Sequence, residues 1–439
     1  MDLKRSLGAR LGMIAILTLL LLIPSLMIRS LIRERQNRGE QAKAEISSKW
    51  GESQIVSGPV ISIPYDSYKY AGAKGGGAIR FIHYLPDVLS IRCRIDPQIR
   101  KRGIFKAVLY QTQIQIAATF SFSGFENLGI SPEDIHWENA VLSVGITDMK
   151  GIKDLIKLTW NDSELTANPG VKINDILTTG IHSPIPIRSE PGEYTFSSSM
   201  VLNGSSELMF TPLGKVTRVD MSSNWENPSF IGNFLPEKRD ISSGEFTAHW
   251  KILHLNRNFP QAWIGDKFKI APSSFGVNLL LPVDEYQKTM RTVKYAILFI
   301  SLTFLSFFLI EVLNQKLLHP IQYLLIGFAI LLFYTLLLSL SEHISFKFAY
   351  LFASIGIVGL ITAYTRGILK NKQLTGVIGA VLGALYGYLY IVLQLQDYAL
   401  LMGSLGLFFA LALVMYLTQG IDWYSIFQFE KKNKRMGAE

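Results

Sequence analysis

The last third of the chain holds five apolar stretches, Tyr295–Leu313, Ile321–Leu340, Phe348–Thr365, Leu374–Leu393 and Tyr398–Thr418. Each runs for about 18–21 residues, which at 1.5 Å rise per residue is the length a helix needs to cross a hydrocarbon core of about 30 Å. A sixth stretch, Leu11–Ile28, carries no charge and follows Lys4, Arg5 and Arg10. Its apolar part exceeds the roughly 7–15 residues of a secretory signal, and no small-residue cleavage pattern follows it. It reads as an uncleaved transmembrane anchor over 11–32, with Pro24 as a candidate kink. The remaining spans fall within 291–418.

Between the anchor and the bundle the pattern changes. Residues 33–52 are polar and helix-prone, with Glu45 four residues before Lys49 as a helical ion pair. They read as a stalk that stops near Gly51. From Ser53 onward the period is two. Leu89, Ile91, Cys93 and Ile95 alternate with Ser90, Arg92, Arg94 and Asp96, and Val108, Tyr110, Ile114, Ile116, Ala118, Phe120 and Phe122 share one face. Phe246, Ala248, Trp250 and Ile252 alternate in the same way. Asn203-Gly204 is the strongest hairpin signal, and a short turn of helix is expected around Asp148–Leu158. The expectation is an α+β membrane protein: an anchor helix, a large antiparallel β-rich, sandwich-like domain over 53–290, and a C-terminal bundle of five transmembrane helices. One sandwich or two small ones fit the length equally. The β domain lies outside the bilayer, because open sheet edges are not tolerated in lipid.

Composition supports this division. Charged residues make up 18% against about 25% for an average soluble domain. The formal charge is +9, yet acidic and basic residues balance across 41–290. The positive excess flanks the apolar segments, as cations that anchor spans do, and not as a nucleic-acid binder would cluster them on a folded face. Six spans put both termini on one side. That side collects Lys4, Arg5, Arg10, Lys316, Arg366, Lys370, Lys372 and the basic tail of 419–439, while the opposite short loops hold only Lys347. Basic residues prefer the cytoplasm, so both termini are expected there. Arg29, Arg33, Arg35 and Arg38 after the first span, and Lys288, Arg291 and Lys294 before the second, point the other way. They carry less weight, because long domains translocate largely regardless of charge.

Sites of chemistry are few. No metalloprotease, nucleophile-elbow, P-loop or dinucleotide motif is present. Gly75-Gly76-Gly77 after Lys74 reads as a surface loop. One cysteine, Cys93, excludes an internal disulfide. His249 and His254 are five apart on an expected strand and so face opposite ways. No catalytic, cofactor-binding or metal-binding residue emerges. Within the bundle the ionisable residues are Glu311, Glu342, His343 and Asp397, all at span ends where headgroups and water solvate them. Glu342 with His343 is the candidate polar relay or binding spot. Gly379, Gly383 and Gly387 share a helix face and suit close packing inside the bundle. Trp225–Phe234 is either a contact surface or, more simply, core and turn.

Several segments resemble the CreD family of bacterial inner-membrane proteins, described as cell envelope integrity proteins. They include Gly58-Pro-Val-Ile-Ser-Ile-Pro64, Phe81-Ile-His-Tyr-Leu-Pro86, Lys101-Arg-Gly-Ile-Phe105, Ser223-Asn-Trp-Glu-Asn-Pro-Ser-Phe-Ile-Gly-Asn-Phe-Leu-Pro236 and Phe246-Thr-Ala-His-Trp250. The membrane part contributes Tyr295-Ala-Ile-Leu298, His319-Pro-Ile-Gln-Tyr323, Leu340-Ser-Glu-His343 and Ile421-Asp-Trp-Tyr-Ser425. The resemblance runs nearly the full length. It implies a periplasmic β domain and a role in envelope stress, colicin tolerance and β-lactam response, and it supplies no catalytic residues. The stretch between Asn256 and Lys269 looks shorter than in relatives.

The expected function is therefore non-enzymatic support of envelope integrity, with no cofactor. The expected partners are the lipid bilayer and an unidentified envelope protein or cell-wall component, and no nucleic acid. A transporter or lipid-handling protein using the bundle is the alternative, and a periplasmic hydrolase with a hidden Ser or Asp is a third.

Overall fold

The computed structural model describes residues 7–66, 79–122, 128–187, 192–281, 285–314, 318–395 and 398–419. The Lys74–Gly77 loop, Asp397 and the basic tail beyond 419 lie outside them. Two helices open the chain, α1 (Leu7–Leu20) and α2 (Leu22–Trp50). Six close it: α3 (Glu285–Lys294), α4 (Ala296–Asn314), α5 (Pro320–Ser341), α6 (Phe346–Leu369), α7 (Lys372–Gln394) and α8 (Ala399–Thr418).

Among the described residues seventeen strands lie between. The first six are β1 (Gln54–Asp66), β2 (Ile79–Tyr84), β3 (Val88–Arg102), β4 (Phe105–Ser121), β5 (Val141–Ile146) and β6 (Lys157–Trp160). Then come β7 (Ser163–Leu165), β8 (Asn168–Pro169), β9 (Gly180–Pro184), β10 (Glu193–Ser205) and β11 (Glu207–Phe210). The last are β12 (Val216–Ser223), β13 (Pro228–Gly232), β14 (Lys238–Ser242), β15 (Glu245–Leu253), β16 (Ala262–Ile264) and β17 (Phe275–Leu279).

The chain divides into two compact units. One comprises the residues up to Arg38 together with α3–α8, and the other runs from Gly39 through β17. In the first unit, six helical stretches among the described residues are long and apolar enough to cross a membrane. Pro24 has no N–H to offer the Leu20 carbonyl, and the helix breaks at Leu21 between α1 and α2. Ser25, Ile28 and Ile32 form a buried stripe on α2, and Leu21 at the break continues it. A Cβ on Gly327 of α5 would come within 2.2 Å of Leu21, so the missing side chain is what lets these helices meet. The stripe singled out from sequence behaves differently. Gly379 approaches Thr362 of α6, whereas Gly383 and Gly387 have no neighbour within 4 Å and are exposed. Residues 285–290, expected within the β domain over 53–290, form the start of α3. Thr289, Thr292 and Val293 make its buried face, and it packs on α5, α7 and α4.

The second unit is one sandwich. A nine-stranded sheet has the order β13-β17-β11-β1-β5-β9-β8, with β2 on β1 and β16 on β2. An eight-stranded sheet has the order β14-β15-β12-β3-β4-β10-β6-β7. A single contiguous core takes residues from both, including Ile61, Ile82, Ile91, Ile114, Phe120, Trp160, Phe196, Phe210, Trp250 and Phe275. The alternating residues of β3, β4 and β15 are those that point inward. Pairing is antiparallel except for β1 with β11 and β3 with β12, which are parallel. No full helical turn of α type forms around 148–158. That stretch holds a 3-10 turn, Met149–Gly151, and the start of β6, and Asp148 caps the turn through Lys150 N.

Asn203-Gly204 is not a hairpin turn. Both residues lie inside β10, paired with Gln111 and Tyr110 of β4. The chain turns at Ser206 (φ 58°) and passes from one sheet to the other. The glycine is needed for proximity: a Cβ on Gly204 would lie 2.3 Å from the Tyr110 ring, which is fully buried. Tyr110 in turn donates to Glu207 O (2.7 Å), and its carbonyl accepts from Trp50 Nε1 at the end of α2 (3.1 Å). Buried Gln54 closes the same node, donating to Asp148 O and Asn203 O. Gly204→Ala is therefore expected to destabilise the β unit by about 3 kcal/mol, the upper end of overpacking in a rigid core. Tryptophan-monitored unfolding of the full chain in detergent measures it. A change under 0.5 kcal/mol would mean that Tyr110 can move aside.

Candidate functional site

Three places gather the chain's reactive groups. In the nine-stranded sheet, β1 and β2 pair so that Ser62 stands opposite His83. Neighbours Ile61, Ile63, Ile82 and Tyr84 point into the core, so Ser62 and His83 share the other face. Ser62 Oγ is 2.9 Å from His83 Nδ1, and His83 Nε2 is 3.1 Å from Asp175 Oδ2. The chain of contacts is serine, imidazole, carboxylate. Its setting is closed: His83 is 1% exposed and Ser62 4%.

Trp263 of β16 covers the imidazole, with ring centroids 5.9 Å apart, and Phe259 and Phe268 pack edge-on against Trp263. Arg257 fastens this cover. It donates to the carbonyls of Phe259 (2.7 Å) and Leu213 (3.0 Å) and to the Gln261 side chain, and it stacks on Phe259. Gln261 then reaches Pro86 O at 2.8 Å. Burial pushes the Arg257 guanidinium down to about 10. Burial also holds His83 below the ordinary imidazole value of 6.5, against the opposing pull of Asp175. The Asn256–Lys269 stretch, noted for its length, thus turns Arg257, Phe259 and Trp263 inward.

In the helical unit the carboxylates separate. Glu311, at the C-terminal end of α4, is 4% exposed and is not a solvated span end. It takes a charge-assisted bond from Arg10 Nη1 (3.0 Å), another from Tyr323 OH (2.9 Å) and one from Leu318 N (3.3 Å). Glu342 follows α5 at its other end. It accepts from Tyr286 OH (3.2 Å) and lies 3.9 Å from Arg35 Nε. His343 beside it is exposed. The 22 residues of α5 between these sites span about 33 Å, close to a hydrocarbon thickness of about 30 Å. Each carboxylate ties an N-terminal helix to the bundle at one end of α5.

His249 and His254 do not meet. His249 Nδ1 contacts Asp220 Oδ1 at 2.7 Å on the exposed face of β15, and His254 begins a 3-10 turn. Among the described residues no three His, Cys, Asp or Glu side chains converge as metal ligands. Cys93 is buried and its thiol is pushed up by burial. Within Trp225–Phe234, Trp225 Nε1 donates to Leu280 O, Phe230 packs on Phe246 and Trp250, and Phe234 packs on Phe275.

A family model described as "Inner membrane protein CreD" matches residues 6–424. The chain is 34% identical over 422 residues to "Inner membrane protein CreD" of Escherichia coli (strain K12), covering 93% of this chain and 91% of that protein. The chain belongs to the CreD family. It is an inner-membrane protein with six candidate spans. The resemblance seen in sequence now has a physical content. Two of its segments, 58–64 and 81–86, are the paired strands that bring Ser62 against His83. Two others, 319–323 and 340–343, supply Tyr323 and Glu342 at the two ends of α5. Asp175 carried no signal in the sequence, because a loop 92 residues away delivers it.

Two predictions follow from these contacts. The folded chain resists protonation of His83 while the unfolded chain takes a proton near 6.5. Stability is then complete above about pH 6.5 and falls as pH drops below it, because the unfolded state binds the extra proton. His83→Gln is expected to flatten that slope in chemical unfolding between pH 7.5 and 5; an unchanged slope would assign it to other groups. Separately, Arg10→Gln leaves Glu311 buried without its cation, and breaking such a pair costs up to about 3–5 kcal/mol. The variant is expected to melt several degrees lower in detergent, and Arg10→Met with Glu311→Met is expected to recover part of the loss.

Proposed function

We propose that this CreD family member is a non-enzymatic protein supporting cell envelope integrity, with its β sandwich on the periplasmic side as the part that binds a partner or envelope component. Both termini are cytoplasmic in this reading, supported by Arg10, Arg366, Lys370, Lys372 and the basic tail. The observation that carries the binding role over hydrolysis is the closure of Ser62. A nucleophile must reach substrate, and this serine sits at a mid-sheet position, 4% exposed, under the Trp263 cover. The serine–imidazole–carboxylate chain acts as a fastening of the Asp175 loop to the sheet.

A transporter or lipid-handling protein is the second reading, and one observation favours it. Thr303, Tyr334 and Tyr386, on α4, α5 and α7, are buried with hydroxyls that meet no hydrogen-bond partner among the described residues. Buried hydroxyls of this kind call for water or a polar solute.

Deleting the gene is expected to raise sensitivity to β-lactams and detergents, with full restoration by the wild-type chain and by Ser62→Ala. Loss of restoration with Ser62→Ala at normal protein level and normal melting would establish hydrolysis instead. A cytoplasm-dependent fluorescent reporter fused after Glu439 should light up, and one fused near Asn161 should stay dark; the reverse would overturn the orientation. Tyr386→Phe is expected to restore fully, whereas failure at normal level and fold would favour transport.

A further inference from the structure

The eight-stranded sheet turns one face away from the core, and that face is exposed and ordered in rows by the strand register. One row runs Arg218, Ser90, Ala117, Ser197, Thr159 across β12, β3, β4, β10 and β6. The next runs Asp220, Arg92, Gln115, Ser199, Lys157, and a third Ser222, Arg94, Gln113. Rows are about 7 Å apart and strands about 4.8 Å apart. Outward faces of soluble sheets need polar groups, and long lysines and glutamates meet that need well. Here the middle of the face is built from short hydroxyls and amides. The consequence is a groove of about 310 Å³, lined by the polar groups of Ser90, Thr159, Asn161, Asp162, Thr195 and Ser197 over an apolar floor that includes Val88 and Ala117. Asn161 and Asp162, both at positive φ, form the two-residue turn between β6 and β7 at its edge.

The charges beside the groove are arranged unequally. Arg92, Arg94 and Arg218 are exposed, and among the described residues none has a carboxylate within ion-pair distance. Two carboxylates near the arginines have other partners, since Asp220 holds His249 at 2.7 Å and Asp87 accepts from Ser121 N and Oγ at 2.8 and 2.5 Å. Asp162 stands at the β6–β7 end of the groove, on the far side of the sheet from Arg218 on β12. Three guanidiniums thus border a row of hydroxyl and amide groups. Hydroxyls and amides match sugar hydroxyls, and each guanidinium fork matches one planar carboxylate bidentately. The groove is shallow and the arginines stand singly, one per row, with Arg92 and Arg94 on β3 and Arg218 on β12. This geometry suits charges spaced along a chain, not a concentrated dianion such as a phosphate, which calls for a helix N-terminus or a nest of backbone amides.

We propose that this face binds a polysaccharide bearing carboxylates, lying along the Ser90–Ser197–Thr159 groove with its carboxylates on Arg92, Arg94 and Arg218. The inference gives a ligand class to the proposed binding role and rests on that role only for its biological setting. The two fail separately, because binding is read on purified protein and envelope support is read in cells.

The test uses the full chain in nanodiscs, titrated calorimetrically with tetragalacturonate. A neutral cello-oligosaccharide of equal length and a tetraglutamate peptide serve as comparisons. Binding of tetragalacturonate at least tenfold tighter than either is expected. Arg92→Gln with Arg94→Gln and Arg218→Gln should weaken it at least tenfold at unchanged melting temperature. Ser197→Tyr, which fills the groove while keeping every charge, should do the same. Absence of tetragalacturonate binding overturns the proposal. So does tetraglutamate binding of equal strength, or binding that survives Ser197→Tyr, since either would reduce the face to general electrostatics.

Discussion

The bilayer offers the backbone no water, and the architecture follows from that constraint. Every N–H and C=O within the hydrocarbon must be met inside its own helix, so apolar stretches of span length become α1–α2 and α4–α8. A sheet must have its edges in water or covered, so the 17 strands form a separate unit. The continuous helix α2, Leu22–Trp50, begins in one regime and ends in the other. Where it ends, Trp50, Tyr110, Gln54 and Asn203 bond to one another's backbones and side chains, and the glycines nearby leave room for those contacts. Gln54, fully buried in the sandwich, is satisfied by the carbonyls of Asp148 and Asn203.

Charge in the helical unit is used sparingly and at the ends. Glu311 with Arg10 and Tyr323, and Glu342 with Tyr286 and Arg35, lie one span apart. A carboxylate at such a depth costs desolvation unless its partner comes with it. Each pair joins an N-terminal helix or its extension to the bundle, which gives the charges a structural account. Among the described residues the hydroxyls of Thr303, Tyr334 and Tyr386 have no such partners.

In the sandwich, the most reactive-looking constellation is the most enclosed. Ser62, His83 and Asp175 are arranged as a base and its orienting carboxylate would be, but Trp263 and the Arg257 clamp shut the site. The open face is on the other sheet, where side chains are short, polar and free to meet a ligand.

Spans, stalk and strand alternation were legible in the sequence because each depends on a short period that a single face imposes: 3.6 for helices, two for strands. Near-complete similarity to one family added the order of the parts. Contacts set by register and long loops were not legible. Asn203-Gly204 has the composition of a hairpin turn, yet Gly204 serves the Tyr110 ring inside a strand. Glu311 looks solvated at a span end, yet Arg10, 301 positions away, encloses it. The amphipathic helix α3 was hidden by its charges, and Ser62 met His83 and Asp175 only once β1 and β2 had paired. A sequence determines which residues can be buried, since burial follows from local pattern. Which buried group finds which partner depends on where the chain returns, and only tertiary structure decides that.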